Sequence, residues 1–332
     1  MQLLIVGPSW LGDAVMMGAL IQRLKADEPS RRITVLTPAH LEALVRRLPG
    51  VDDTLTNPFA HGALKLGARA SFGRALERRF DAAIVLPHSW KSALVPLFAG
   101  IPRRTGFVGE GRYLVLNDAR RLDEAALPRM VDRFCLLAEP RGVDAPRPSP
   151  TPRLDVDSAA VAATRARFGL GEAPAVALCV GAEYGPAKRW PAAHFADLAR
   201  RLAGRGIGAW LLGGPGDVAL GAEISALAPD AVDLTGRTSL VEAAELLAGA
   251  RAVVSNDSGL MHVAAAFGRP VVALYGSSSP VFTPPLSPDA VVLSENLPCS
   301  PCFQRVCPLA HFNCLNGLMP ERVWQALAPH LD

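Results

Sequence analysis

Apolar runs of four or five residues, each followed by a stretch with helical spacing of its apolar positions, recur along the whole chain. Leu3–Val6 is the first such run, and Asp13–Lys25 follows it with the period of a helix. The same pair returns as a strand at Ile33–Leu36 with a helix at His40–Arg47, and as a strand at Ala83–Leu86 with a helix from about Ser89 to Phe98. Further on come a strand at Val176–Val180, a helix at Ala192–Ala203 closed by Gly204 and Gly206, and a strand at Ala209–Leu212. Helices at Val218–Ala228 and Leu240–Ala248 follow. A strand ending in Ala252-Val253-Val254 then turns through Asn256-Asp257-Ser258-Gly259 into a short helix, Leu260–Phe267, which Gly268 and Pro270 stop. A strand at Val271–Tyr275 and an amphipathic helix at Pro320–Leu331 complete the pattern. Strand and helix in strict alternation predict the α/β class, with parallel sheets covered by helices on both faces.

Between the two series lies Glu139–Pro152, rich in proline and without hydrophobic period, which reads as a linker. It divides the 332 residues into a domain over 1–150 and a second over 151–332. Two Rossmann-like halves of this kind place a ligand cleft at the carboxyl ends of their strands. The chain is 50% apolar and 20% charged, which is globular and not disordered. Its start carries no basic region or cleavage site, and its most apolar stretch, Ala82–Pro102, is interrupted by His88, Lys91 and two prolines. A cytosolic protein is expected, with at most a peripheral membrane association. Residues 1–150 carry 21 Lys and Arg against 15 Asp and Glu, and the remainder 13 against 16. A basic first half suits an anionic partner, although an arginine-rich solvated face would have the same composition.

Four stretches carry candidate chemistry. Ser255–Pro280 contains a strand, a polar turn and a helix opening at Ser258-Gly259, whose first N–H groups lack internal partners and favour an anion. His262 follows one turn later on the same face, beside Asp257. Gly181–Pro191 (GAEYGPAKRWP) leaves a strand and presents Lys188 and Arg189 where a pyrophosphate would sit. Gly213-Gly214-Pro215-Gly216-Asp217 offers glycines that can pass under a flat base and, in Asp217, a carboxylate for a ribose hydroxyl; a plain turn with a helix cap is the alternative. Thr238 and Ser239 read first as a cap and second as an adenine-side contact. Gly7–Asp13 ends the first strand without a GxGxxG pattern, so a dinucleotide is not expected there. Asp13 is either a general base for a hydroxyl or a helix cap. The one Asp-x-Asp string, Asp155-Val156-Asp157, precedes a helix at Ser158 and reads as linker and cap, so metal-independent chemistry is expected.

Cys135 and Cys179 stand alone, but Cys299, Cys302, Cys307 and Cys314 fall within sixteen residues, with His311 among them. In a cytosolic chain this suggests a structural zinc clip on an insertion more than disulfides, with four thiolates or three and the histidine as ligands.

Taken together, SNDSGLMHVAAAFGRPVVALYG, GAEYGPAKRWP and PSWLGDAVM resemble the motifs of the heptosyltransferases, the family-9 glycosyltransferases. The resemblance runs from Leu3 through Pro285 and implies two facing Rossmann-like domains (the GT-B type), the first binding acceptor and the second a nucleotide sugar. It implies inverting transfer of L-glycero-D-manno-heptose from ADP-heptose to the first heptose of the lipopolysaccharide inner core. The acceptor is then a phosphorylated glycolipid at the inner face of the cytoplasmic membrane, and no nucleic acid is involved. In this likeness Asp13 is the base, and Glu183, Lys188, Asp217, Asp257, Ser258, Gly259 and His262 serve the donor. Ser9, Lys91, Arg104 and Arg112, with Arg103 nearby, are acceptor-side positions. Members that lack the cysteines imply that catalysis does not depend on them. Addition of the first heptose, epimerisation of a nucleotide sugar, and nucleotide binding without turnover remain as alternatives.

Overall fold

A computed structural model describes residues 1–60 and 62–331. The chain divides into two compact units, Met1–Leu154 and Asp155–Asp332.

In the first unit the strands are β1 (Gln2–Val6), β2 (Arg32–Pro38), β3 (Asp53–Asn57), β4 (Ala82–Val85), β5 (Arg103–Phe107) and β6 (Asp118–Arg120). They form one sheet in the order β3-β2-β1-β4-β5-β6, parallel throughout. Its helices are α1 (Leu11–Asp27), α2 (Ala39–Val45), α3 (Leu66–Arg74), α4 (Leu94–Phe98) and α5 (Met130–Leu136). Leu3–Val6 is buried on both faces because β1 lies at the centre of the sheet, paired with Ile33–Leu36 on one side and Ala82–Val85 on the other.

The second unit repeats the plan. Its strands are β7 (Ala175–Cys179), β8 (Gly208–Leu212), β9 (Val232–Asp233), β10 (Ala252–Asn256), β11 (Val271–Leu274) and β12 (Ala290–Leu293), in the order β12-β11-β10-β7-β8-β9. Read from its own first strand, this is the same doubly wound order as in the first unit. The helices are α6 (Ser158–Arg167), α7 (Ala192–Ala203), α8 (Val218–Leu227), α9 (Leu240–Gly249), α10 (Gly259–Ala266), α11 (Asn313–Asn316) and α12 (Pro320–Leu327). One core joins Val176, Leu178, Val254 and Leu274 of the sheet to Phe195, Leu198 and Leu202 of α7 and to Val323 and Leu327 of α12. In each unit the strand order reverses beside the first strand, between β1 and β4 and between β7 and β10. Ligands of open α/β sheets bind at this point, outside the carboxyl ends of the strands.

Several expectations are corrected. The segment expected as a helix from Ser89 is a 3-10 turn, Trp90–Ala93, followed by the short α4. The terminal helix ends at Leu327 and continues as a 3-10 turn, where Pro329 lacks the N–H an α-helix would need. Glu139–Pro152 is no free linker. Glu139 is buried and takes hydrogen bonds from Arg23 (2.9 Å) and Arg147 (3.0 Å), while Arg147 also pairs with Asp27 at 3.0 Å. Gln22 donates to the Thr151 carbonyl at 3.1 Å and Ser149 to Asp132 at 2.7 Å, so the segment is strapped along the first unit. Asp157 caps α6 by accepting from the N–H groups of Ala159 and Ala160, in keeping with the cap reading of the Asp-x-Asp string. Among the described residues no helix is long and apolar enough to cross a membrane.

Candidate functional site

In the second unit the loops that follow β7 and β10 are joined by one buried side chain. Asn256, fully buried at the end of β10, accepts a hydrogen bond from the Trp190 backbone N–H at 3.0 Å. Its amide nitrogen donates to the Val180 carbonyl at 2.8 Å. Trp190, also buried, anchors the far end of the first loop through its indole N–H to the Leu318 carbonyl at 2.7 Å. The sequence reads Asn256 as a turn residue. Its role becomes visible only when β7 and β10 are neighbours.

These loops place Lys188 against Asp257, with Nζ 2.5 Å from Oδ2. Lys188 ends a 3-10 turn, Pro186–Lys188, and Asp257 is buried directly after β10. Ser258 is the N-cap of α10 in extended conformation, but its hydroxyl lies 3.2 Å from that of Ser255 and gives no cap bond. The first turn of α10, beginning at Gly259, thus carries no side-chain cap on its N–H groups. His262 is buried in the next turn, and burial pushes its pKa down to about 4, with Lys188 acting in the same direction and Asp257 opposing. At neutral pH it is an uncharged hydrogen-bonding group. The unfolded chain takes up this proton below about pH 6.5, so the stability it contributes is complete above that pH and is lost as pH falls toward 4. The loss amounts to about 3 kcal/mol. His88 and His194 are shifted in the same direction, chiefly by burial. Urea midpoints between pH 7.5 and 4.5 are expected to fall less steeply in His262→Gln than in the wild type; equal slopes would contradict this.

Asp217 is buried and already occupied: its carboxylate accepts from the Gly214 N–H at 2.9 Å and from Arg189 at 3.1 Å. These bonds close the turn Gly214–Asp217, while the side chain gives no cap bond to α8. Gly181 makes room for this carboxylate, since a Cβ there would meet Asp217 Oδ2 at 2.1 Å. Ser239 caps α9 and accepts from the Glu242 N–H, as its cap reading requires. Glu183 is exposed on the β7 loop.

In the first unit, Ser9 is exposed in the loop after β1, and Asp13 sits half-buried in the first turn of α1. Lys91 follows β4, so Ser9, Asp13 and Lys91 flank the switch point of this sheet. Arg104 and Arg112 do not join them as free contacts. Arg104 lies at the start of β5, at the opposite edge of the sheet, and donates to the carbonyls of Val115 (2.9 Å) and Ile101 (2.6 Å). Arg112 is buried and clamps the carbonyls of Phe107 (2.7 Å), Pro87 and Ser89, the last two in the loop that carries Lys91. Burial lowers its pKa to about 10, which leaves it charged at neutral pH. Arg103 is exposed and lies 3.8 Å from Asp118. Arg23, Arg69, Arg120 and Arg133 are also buried, so part of the positive surplus of this half is spent on internal carbonyls and carboxylates.

Residues 69–313 match the model of glycosyltransferase family 9 (heptosyltransferase). The chain belongs to this family. It is 47% identical over 305 residues to lipopolysaccharide heptosyltransferase 2 of Escherichia coli, covering 88% of each chain. To lipooligosaccharide heptosyltransferase 2 of Haemophilus influenzae it is 44% identical over 307 residues, again covering 88% of each. A solved structure of E. coli ADP-heptose lps heptosyltransferase II is 42% identical and superposes with a TM-score of 0.90 over 100% of this chain and 98% of that one. The fold is thus of the GT-B type, two Rossmann-like units in one glycosyltransferase.

The four clustered cysteines of this heptosyltransferase line one small cavity together with His311. The Cys307 thiol is held below its usual pKa by backbone N–H groups, first that of Phe312, whereas burial raises Cys314 and pushes Cys179 up to about 12. Among the described residues, however, no three His, Cys, Asp or Glu side chains are grouped so as to hold a metal ion.

Proposed function

We propose that this heptosyltransferase moves L-glycero-D-manno-heptose from ADP-heptose to the first heptose of the lipopolysaccharide inner core, with inversion and without a metal ion. The observation that carries the reading is the meeting of Lys188, Asp257 and the uncapped first turn of α10 at the switch point of the second unit. A cation and free backbone N–H groups are what a departing diphosphate needs. The names of the relatives supply the sugar and the acceptor: lipopolysaccharide heptosyltransferase 2 at 47% identity, and an ADP-heptose enzyme among solved structures.

In this reading the acceptor hydroxyl attacks the anomeric carbon and gives its proton to the Asp13 carboxylate. The bond from that carbon to the diphosphate oxygen breaks, and its electron pair leaves with ADP. Lys188 and the N–H groups from Gly259 onward take up that charge, Ser258 and neutral His262 hydrogen-bond sugar or phosphate, and Asp257 holds Lys188 in place. Glu183 is a donor-side contact, while Asp217 acts indirectly by fixing Gly214 and Arg189. Ser9 and Lys91 face the acceptor, and Arg112 positions the loop of Lys91. A phosphorylated glycolipid acceptor places the enzyme at the inner face of the cytoplasmic membrane, as a peripheral protein.

The test is ADP release from ADP-heptose in the presence of EDTA, with lipid A–Kdo acceptors carrying one heptose or none. Release only with the mono-heptosylated acceptor is expected. Release only with the heptose-free acceptor would make this the enzyme of the first heptose. Loss of activity in EDTA that an added divalent ion restores would overturn metal independence.

A further inference from the structure

The side chains of the loops after β7, β8 and β10 leave no positive surplus, and Glu183, exposed on the first of them, adds a negative charge. Lys188 is paired with Asp257 and Arg189 with Asp217, at 2.5 and 3.1 Å, and His262 is neutral. A nucleoside diphosphate carries several negative charges, and pairs of this kind offer it no net positive field. The surplus cation comes from the cysteine-rich segment. Arg305 is exposed, and among the described residues no carboxylate is paired with it. Its guanidinium lies over the Tyr184 ring, 5.1 Å from the centroid, and Lys188 Nζ lies 5.0 Å from the same centroid. The two cations are therefore no more than about 10 Å apart, with a shared aromatic ring to steady them.

The main chain fixes this placement. The Arg305 carbonyl accepts from the Ala187 N–H at 3.1 Å, and Gly185 lies so close that a Cβ would meet that carbonyl oxygen at 2.5 Å. Tyr184 donates its hydroxyl proton to the Phe303 carbonyl at 2.6 Å, and the Phe303 N–H donates to the Ser277 carbonyl at 2.7 Å. Residues 303–305 are thus bound to the donor-side loop and to the loop after β11, although they come more than a hundred residues later than Lys188.

We infer that Arg305 is a donor-binding residue, whose unpaired guanidinium supplies the positive charge for the diphosphate of a nucleotide ligand, with Tyr184 as its platform. This rests on the nucleotide-sugar reading of the second unit but not on the transfer step. The experiment is calorimetric titration of the full chain with ADP and with adenosine, for wild type, Arg305→Ala and Arg305→Lys. Arg305→Ala is expected to weaken ADP by about tenfold while adenosine changes less than about twofold, and Arg305→Lys to recover part of the loss. The melting temperature should stay at the wild-type value, because the carbonyl that holds Ala187 is retained. Unchanged ADP affinity, or equal weakening of ADP and adenosine, would overturn the assignment and leave Arg305 a prop for the loop. A wild type that binds ADP with this arginine dependence yet transfers no heptose would sink the transfer reading and leave this one standing.

Discussion

Asp13→Asn is expected to lower acceptor-dependent ADP release by about a hundred- to ten-thousandfold, the span general-base removal produces. The amide keeps the size of the carboxylate but cannot take a proton. Asp13 lies in the first turn of α1, at the carboxyl edge of the first sheet, where a negative charge gains at most about 1 kcal/mol from the helix dipole. A urea midpoint near that of the wild type would show that the lost rate is not a lost fold. ADP affinity should be kept, because the nucleotide is assigned to the other unit. A rate within threefold of the wild type would remove Asp13 from the chemistry. A loss of ADP affinity as large as the loss of rate would show that the substitution acts on binding.

The second large effect falls on the ion pair of the donor side. Lys188→Met should reduce the rate by about a hundred- to a thousandfold, as expected when a preorganised group facing developing charge is lost. It should also destabilise the protein by about 3 kcal/mol, because the buried Asp257 carboxylate is left without its cation. The two effects separate in the double variant. Adding Asp257→Asn to Lys188→Met removes the stranded charge, so stability should return in urea unfolding while the rate stays low. A single Lys188→Met variant as stable as the wild type would mean that water or another group compensates Asp257. A double variant that recovered the rate would show that Lys188 has no part in stabilising the leaving group.

Much of this site could be read from the chain because its parts are local. The turn from β10 into α10, with Asp257, Ser258 and His262, is contiguous, and so is the loop from β7 to α7 that bears Lys188. Central strands such as β1, β7 and β10 are continuous apolar runs, since both of their faces are covered. The outer strands gave no such signal. β5 is Arg-Arg-Thr-Gly-Phe, β6 is Asp-Ala-Arg and β9 is only Val-Asp, so polar or short segments become strands through their neighbours alone. Arginine is ambiguous for a related reason. A guanidinium seeking a phosphate and one satisfying backbone carbonyls look alike in sequence, and it takes the structure to show that Arg104 and Arg112 donate to carbonyls. The tying role of Asn256 and the placement of Arg305 are not legible in the sequence because their partners are distant in the chain.

The shared amide of Asn256 has a bearing on how this enzyme can change. One side chain ties the Trp190 end of the first loop to the Val180 end, and it sits next to Asp257. A substitution that shifts either loop is felt by the other, so the effects of changes at Lys188 and around Ser258 should not add. Altering donor preference by single replacements on one loop would tend to fail for this reason. Variants with a new nucleotide or sugar should instead carry matched changes on both loops, with Asn256 kept as the hinge pin of the pair.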